Sequence, residues 1–212
     1  MCIRDSTSDE WITTRTGMKK RHVVENGMMT SDLATQAALS ALKDSGLKAE
    51  ELDLIIVATT TPDKTFPATA VKVQHNIGAS NAFAHDIQAV CSGFIYALSS
   101  AYSHFKAGVV KNALIIGAET LSNLLDWNDR TTCVLFGDGA GAFVLKADES
   151  TDRGIIDVNL YSDGNLYDFL KTTGGVSENK STGTISMEGK EIFRHAVEKM
   201  SNSVKNIIEK NG

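Results

Sequence analysis

Two uninterrupted apolar runs constrain this chain more than any other feature. Asp53–Thr60 reads Asp-Leu-Ile-Ile-Val-Ala-Thr-Thr, and Asn112–Glu119 reads Asn-Ala-Leu-Ile-Ile-Gly-Ala-Glu. A strand with one wet face alternates polar and apolar residues; a strand covered on both faces does not. Both runs are therefore expected as central strands of a helix-covered sheet. The segments around them carry a helical period instead. Thr30–Ser45 repeats Leu33, Ala37/Ala38, Ala41 and Leu42 on one face; Ser31 or Asp32 can cap it and Gly46 ends it. Pro67–Asn76 starts on proline and stops at Gly78. Phe83–Ile87 reads as a strand, and Ser92–Lys106 as a helix with Phe94/Ile95, Leu98, Ala101/Tyr102 and Phe105 inward. Glu188–Glu209 is a helix expected to face Ile192/Phe193, Ala196/Val197, Met200, Val204 and Ile207/Ile208 inward. Such alternation predicts an α/β fold with a largely parallel sheet.

Phe136-Gly137-Asp138-Gly139-Ala140-Gly141-Ala142 invites a phosphate-loop reading but lacks the Gly-Lys-Ser/Thr of a nucleotide loop and opens no helix. It is expected as a tight, closely packed turn between strands Cys133–Phe136 and Ala142–Lys146. Gly154–Tyr161 is expected as a further strand, and Thr172–Thr184 as a polar glycine- and serine-rich loop.

Composition sets outer limits. The chain has 212 residues, 42% hydrophobic and 22% charged, with a net charge of −5. That is ordinary globular composition, and a general nucleic-acid binder would be basic. Basic clusters exist at Lys19-Lys20-Arg21-His22 and at Lys199, Lys205 and Lys210; one of them can dock an acidic partner. No run of about 18 apolar residues occurs, so no membrane helix is expected, and the first residues carry no apolar leader core. Cys2, Cys91 and Cys133 lie far apart. This spacing suits neither a zinc site nor a disulfide framework and fits a reducing cytoplasm.

Cys91 is the residue with the clearest chemistry. It sits at the junction of a strand and a buried helix, in His85-Asp-Ile-Gln-Ala-Val-Cys91-Ser-Gly-Phe-Ile-Tyr-Ala-Leu98. Helix N-terminal N–H groups there favour the thiolate, the nucleophilic form. A buried core cysteine is the bland alternative. Ala89-Val-Cys91-Ser-Gly93 also partly matches a hydrolase nucleophile elbow. A hydrolase would need an acid and a histidine further on, and His104 and His195 are poorly placed as bases. His85 is expected to be a packed or hydrogen-bonded residue.

Four segments in order resemble the β-ketoacyl-acyl-carrier-protein synthase III family of thiolase-like condensing enzymes. They are Thr7-Ser-Asp-Glu-Trp-Ile-Thr-Thr-Arg-Thr-Gly17 with Arg21-His22, Ala58-Thr-Thr-Thr61 with Phe66-Pro67, Asp86 to Leu98 around Cys91, and Asp129-Arg130 with Phe136–Ala142. The resemblance runs from about Thr7 to Gly212. It implies a five-layer αβαβα fold with mostly parallel buried sheets, normally a homodimer. Residues 7–150 would form the N-terminal half with the elbow, and 151–212 the beginning of the C-terminal half. Residues 1–6 show no periodicity and are expected to be non-native.

Site roles follow from the resemblance alone. Cys91 matches the acyl-accepting nucleophile, with its N–H as one arm of an oxyanion hole. Trp11 and Arg130 match the pair that sandwiches the adenine of coenzyme A; Thr7 and Arg15 lie in the same segment. Phe66 matches the residue that crosses the dimer and closes the partner's acyl pocket. Gly189 and Phe193 match the mouth of the pantetheine tunnel, and Arg194 a contact to acyl carrier protein, with plain core and plain surface as alternatives for Phe193 and Arg194.

The implied reaction joins a short acyl-CoA and malonyl-acyl-carrier-protein through acyl-Cys91. It requires no metal or cofactor, takes place in the cytoplasm and involves neither nucleic acid nor membrane. The family's decarboxylating histidine and asparagine, and its second oxyanion glycine, correspond to positions beyond Gly212, so the chain itself is expected to lack full condensing activity and to acylate only weakly. Three alternatives stay open: a thiolase-like relative with other acyl groups, a cysteine hydrolase of α/β type, and a non-catalytic fragment or partner subunit.

Overall fold

The computed structural model describes residues 7–148 and 153–212. The expectation of a non-native 1–6 segment falls on residues outside these, as does the expected boundary at 150/151. The described residues divide into two compact units, one of residues 24–120 with 138–148 and 153–158 and one of residues 7–23, 121–137 and 159–212.

The first unit is a helix-covered sheet. Its elements are α2 (Thr30–Ser45), β1 (Leu54–Ala58), α3 (Thr69–Ile77), β2 (Phe83–Ile87), α4 (Gly93–Lys106), β3 (Asn112–Thr120) and β4 (Asp138–Lys146); α1 (Asp9–Thr16) belongs to the other unit. The strand order is β2-β1-β3-β4. β1 runs parallel to both neighbours, with Ile56 opposite His85 on one side and Ile115 on the other. β4 closes the sheet antiparallel to β3. The two apolar runs are the central strands, as predicted, and every residue of β1 is buried.

Alternate residues of each strand feed opposite cores. Ile55, Val57, Leu114 and Ile116 pack with Ala34, Ala38, Leu42, Ala70 and Val73 of α2 and α3. Leu54, Ile56, Ala113 and Ile115 pack with Ala97 and Ala101 of α4. Each such Leu, Ile or Val contributes about 1.5–3 kcal/mol on burial, so this double-sided sheet is the main source of cohesion in the unit. Alanine on the helix faces lets the helices approach closely. Of the two expected caps of α2, Asp32 serves, accepting the Met29 N–H at 2.9 Å, and Asp63 of the β1–α3 segment adds an acceptor for the Ser31 N–H at 2.9 Å.

The second unit contains α1 (Asp9–Thr16), a 3₁₀ turn at Leu121–Leu124, the hairpin β5 (Leu170–Thr172) and β6 (Ile185–Met187), and α5 (Gly189–Asn211). Ile12, Leu124, Leu125, Cys133, Val134 and Ile185 form its core. Ser8 caps α1 through the Trp11 N–H, and Gly17, at φ 72°, ends it.

Several expectations are corrected. Cys133–Phe136 is a run of turns, not a strand. Two of its N–H groups are spent locally, that of Cys133 on the Asp129 carbonyl and that of Leu135 on the Thr132 carbonyl, which closes turns instead of a ladder. The glycine motif is not a tight turn. Its spacing of two is a strand pleat, and Gly139 and Gly141 lie in β4 opposite Glu119 and Gly117. Only Gly137 is closely packed, since a Cβ there would stand 3.0 Å from the His22 carbonyl oxygen. Gly154–Tyr161 belongs to no sheet among the described residues, having no strand to pair with. The polar 172–184 segment, by contrast, is a loop as expected: it connects β5 to β6 and is organised by Asn179, whose Oδ1 accepts the N–H groups of Gly175 and Ser181. Finally, α5 has no buried residue. Phe193, Val197, Met200, Val204 and Ile208 are exposed rather than inward, because nothing among the described residues covers that stripe.

Candidate active site

Cys91 is exposed and sits in the 3₁₀ turn Val90–Ser92 that joins the end of β2 to α4. The turn is closed by Ser92 N–H donating to the Ala89 carbonyl at 3.1 Å and by Gly93 N–H donating to that of Val90. Val90 has φ 47°, in the left-handed region, which a β-branched residue adopts at a cost of about 1–3 kcal/mol. A sharp turn is thus imposed next to the thiol. Gly93 fits because the helix start presses on β1: a Cβ there would lie 3.3 Å from the Ala58 Cβ. Gly117 does the same for Phe94, which would come within 3.3 Å of an added Cβ. Cys133, by contrast, is buried, and burial first, then the nearby Asp129 carboxylate, pushes its thiol up. Among the described residues, Cys91 is the accessible thiol.

The histidines beside this elbow are packed groups. Phe83 meets the His104 ring edge-on at 5.5 Å. His85 is pushed below its ordinary value by burial and by His104, while Asp86 opposes the shift. Phe66 stands on the segment between β1 and α3, follows no secondary structure and is 82% exposed; its bond to Pro67 is cis.

In the second unit, Trp11 and Arg130 come together. The Arg15 guanidinium, one turn on in α1, lies 4.5 Å from the Trp11 ring centroid, and that of Arg130 lies 6.0 Å away. Cations over an indole face are attracted by its quadrupole. Thr7 precedes α1, and its buried Oγ1 has no hydrogen-bond partner among the described residues. Gly189 opens α5 with Phe193 on the following turn, 73% exposed. Arg194 donates to Glu191 at 2.7 Å and approaches His195 Nε2 at 3.1 Å; the Glu191 carboxylate holds the guanidinium's pKa above its ordinary value. His195 stacks on Phe169 at 6.0 Å, a packed role like that expected from sequence.

A sequence model of the 3-oxoacyl-[acyl-carrier-protein (ACP)] synthase III family matches residues 85–164, the stretch that contains the Cys91 elbow. Beta-ketoacyl-[acyl-carrier-protein] synthase III of Bradyrhizobium diazoefficiens is 50% identical over 217 residues, covering 100% of this chain and 67% of the relative. The chain belongs to the β-ketoacyl-[acyl-carrier-protein] synthase III family. The synthase III of Ehrlichia canis is 57% identical over 97% of the chain, which spans 64% of that relative's length. The crystal structure of 3-oxoacyl-[acyl-carrier-protein] synthase III from Aquifex aeolicus superposes with a TM-score of 0.89 at 48% identity, covering 96% of this chain and 63% of that one. The thiolase-like fold of the family is therefore also the fold of this chain.

Sequence reasoning assigns no role to two groups near the elbow, although Asp86 opens one of the resembling segments. Asp86 on β2 accepts the N–H groups of Thr69 and Ala70, each at 2.7 Å, through its two carboxylate oxygens. Glu119 on β3 accepts the Thr60 N–H at 2.8 Å and the Thr61 hydroxyl at 2.6 Å. Burial pushes its carboxyl above the usual range, against the opposing pull of the hydrogen bonds from Thr61, Thr60 and Thr59.

Proposed function

We propose that this chain carries the acyl-accepting site of a condensing acyltransferase that initiates fatty-acid synthesis. The observation that carries the reading is an exposed cysteine on a strained strand-to-helix elbow, within the stretch matched by the family. The Cys91 thiolate attacks the carbonyl carbon of a short acyl-CoA, most simply acetyl-CoA. The new C–S bond forms as the carbonyl electrons move to oxygen, where the Cys91 N–H serves as one oxyanion donor. Collapse of that intermediate expels coenzyme A as its thiolate. In the second half-reaction malonyl-acyl-carrier-protein loses carbon dioxide, and its carbanion attacks the acyl-Cys91 thioester. This frees the thiol and releases 3-oxoacyl-carrier-protein. The chemistry as written calls for no metal or redox cofactor.

Coenzyme A would bind through the second unit. A ring stacked between two planar groups needs about 7 Å between them, twice a carbon–carbon contact. Arg130, now 6.0 Å from the Trp11 centroid, would swing outward by about 1 Å to admit adenine. Thr7 and Arg15 would contact the nucleotide, and Gly189 and Phe193 the pantetheine arm. Arg194 would meet the acidic carrier protein once released from Glu191. The functional state proposed is a homodimer in which Phe66 closes the partner's acyl pocket, and the compartment proposed is the cytoplasm. No described helix is long and apolar enough to cross a membrane.

The test is to incubate the chain with radiolabelled acetyl-CoA beside Cys91→Ser and to weigh the protein. A Cys91-dependent acetyl adduct supports the reading. Release of free acetate without an adduct would instead mark a hydrolase, and no reaction at all would refute an assembled acyl site.

A further inference from the structure

Three carboxyl groups hold the segment between β1 and α3, each at a different point. Glu119 takes its start, through the Thr60 N–H and the Thr61 hydroxyl. Asp63 ties its middle to the Ser31 N–H of α2 at 2.9 Å. Asp86 takes its end, through Thr69 and Ala70. Phe66 projects from the stretch between the last two ties.

The Glu119 tie is the centre of a wider network. The Thr61 hydroxyl that donates to Glu119 also accepts the Thr120 N–H at 2.8 Å. Thr30 donates to the Thr61 carbonyl at 2.6 Å and shares a hydrogen bond with Thr120 at 2.9 Å. Thr30, Thr59 and Thr120 are all buried. Gly139, opposite Glu119 in the β3–β4 register, brings no side chain to that cross-strand position.

An apolar side chain at 119 would fill similar space without the desolvation that a carboxyl suffers. What the carboxyl adds is a set of directed bonds, and its protein donors are all threonines at the start of one segment. We propose that Glu119 is a positioning residue for acyl-group selection: by fixing Thr60 and Thr61 it sets where the β1–α3 segment presents Phe66. This rests on the reading of Phe66 as a wall of the acyl pocket. A wall that is held fixed discriminates by size; a wall on a loosened segment gives way to a longer chain.

The experiment compares Cys91 acylation by acetyl-CoA and butyryl-CoA in the parent chain, Phe66→Ala, Glu119→Ala, Glu119→Gln and the double variant Phe66→Ala/Glu119→Ala. Phe66→Ala should raise the butyryl-to-acetyl ratio of kcat/KM by about tenfold or more, the scale on which apolar pockets discriminate by methylene. Glu119→Ala should raise it several-fold in the same direction, and the double variant no further than Phe66→Ala alone. Glu119→Gln keeps an oxygen for the Thr60 N–H and should fall between Glu119→Ala and the parent.

A merely structural role would slow both substrates alike and leave the ratio flat. A flat ratio in Glu119→Ala with a responsive Phe66→Ala overturns the inference, and so does additivity in the double variant. A flat ratio in Phe66→Ala, or no acylation of the parent, overturns the underlying reading and the inference with it. Should Glu119→Ala not fold, Glu119→Gln carries the test together with amide exchange, which must quicken at Thr61; unchanged exchange and an unchanged ratio overturn the proposal.

Discussion

Asp86 offers the sharpest test of how the elbow strand is tied to its surroundings. Its two carboxylate oxygens each accept one N–H from the first turn of α3, both at 2.7 Å. These donors have no partner inside the helix, and Thr69 and Ala70 are 1% and 0% exposed. Asp86→Ala removes both acceptors, and water has little access to replace them. Each stranded N–H costs about 1–3 kcal/mol, so the loss should reach roughly 3 kcal/mol, with the lost charge at the helix N-terminus adding to it. Asp86→Asn keeps one oxygen but turns an NH₂ towards the second donor, for a loss of about 2 kcal/mol. Urea unfolding followed by circular dichroism gives the midpoints. With an unchanged slope, these losses lower the midpoint by about 1–2 M for Ala and somewhat less for Asn. An Asp86→Asn midpoint indistinguishable from the parent would refute the argument, because it would mean the two N–H groups find other partners at no cost.

Three further outcomes follow from the site. Gly93→Ala forces a Cβ to within 3.3 Å of Ala58, so it should destabilise by about 1–3 kcal/mol and slow acylation of the adjacent Cys91, read as midpoint and adduct rate together. His85 is held below its ordinary value, first by burial, so the unfolded chain takes up the proton more readily than the folded one. Its contribution to stability is fully present above about pH 6.5 and lost as pH falls through the folded value; His85→Gln should flatten that acid limb in urea midpoints taken at descending pH. Trp11→Ala should raise the KM for acetyl-CoA about tenfold with little change in kcat, the loss of one base-stacking surface, measured by initial rates of Cys91 acylation.

The sheet was legible in the sequence because its signal is local. A continuous apolar run such as Leu-Ile-Ile-Val-Ala says that both faces are covered, whatever covers them. Cys91 was legible for the same reason, lying between a strand pattern and a helix pattern. Cys133–Phe136 misled because apolar residues in a turn look like a short strand; what decides is that the Asp129 carbonyl accepts the Thr132 and Cys133 N–H groups. The glycine motif misled because glycine permits a turn without requiring one. Glu119 and Asp86 were invisible as anchors, since their partners lie 58 and 17 residues away for the bonds to Thr61 and Thr69. The apolar period of α5 predicts a face to be covered, and no period names what covers it.

The strand order has a consequence for how the sheet is assembled. β1 meets β2 with Leu54 opposite Phe83, and meets β3 with Leu54 opposite Ala113. Closing the second pairing encloses about twice as much chain as the first, and the entropy of closure rises with that length while local contacts form first. Of the two pairings of β1, the β1–α3–β2 unit with its Asp86 tie is the shorter to close, and it is expected to form before β1 meets β3. Substitutions such as Ile115→Val then speed unfolding more than they slow folding, whereas Val73→Ala acts on the folding limb. The elbow strand is thus expected on β1 before β3 joins it, an order that hydrogen-exchange labelling during refolding would check.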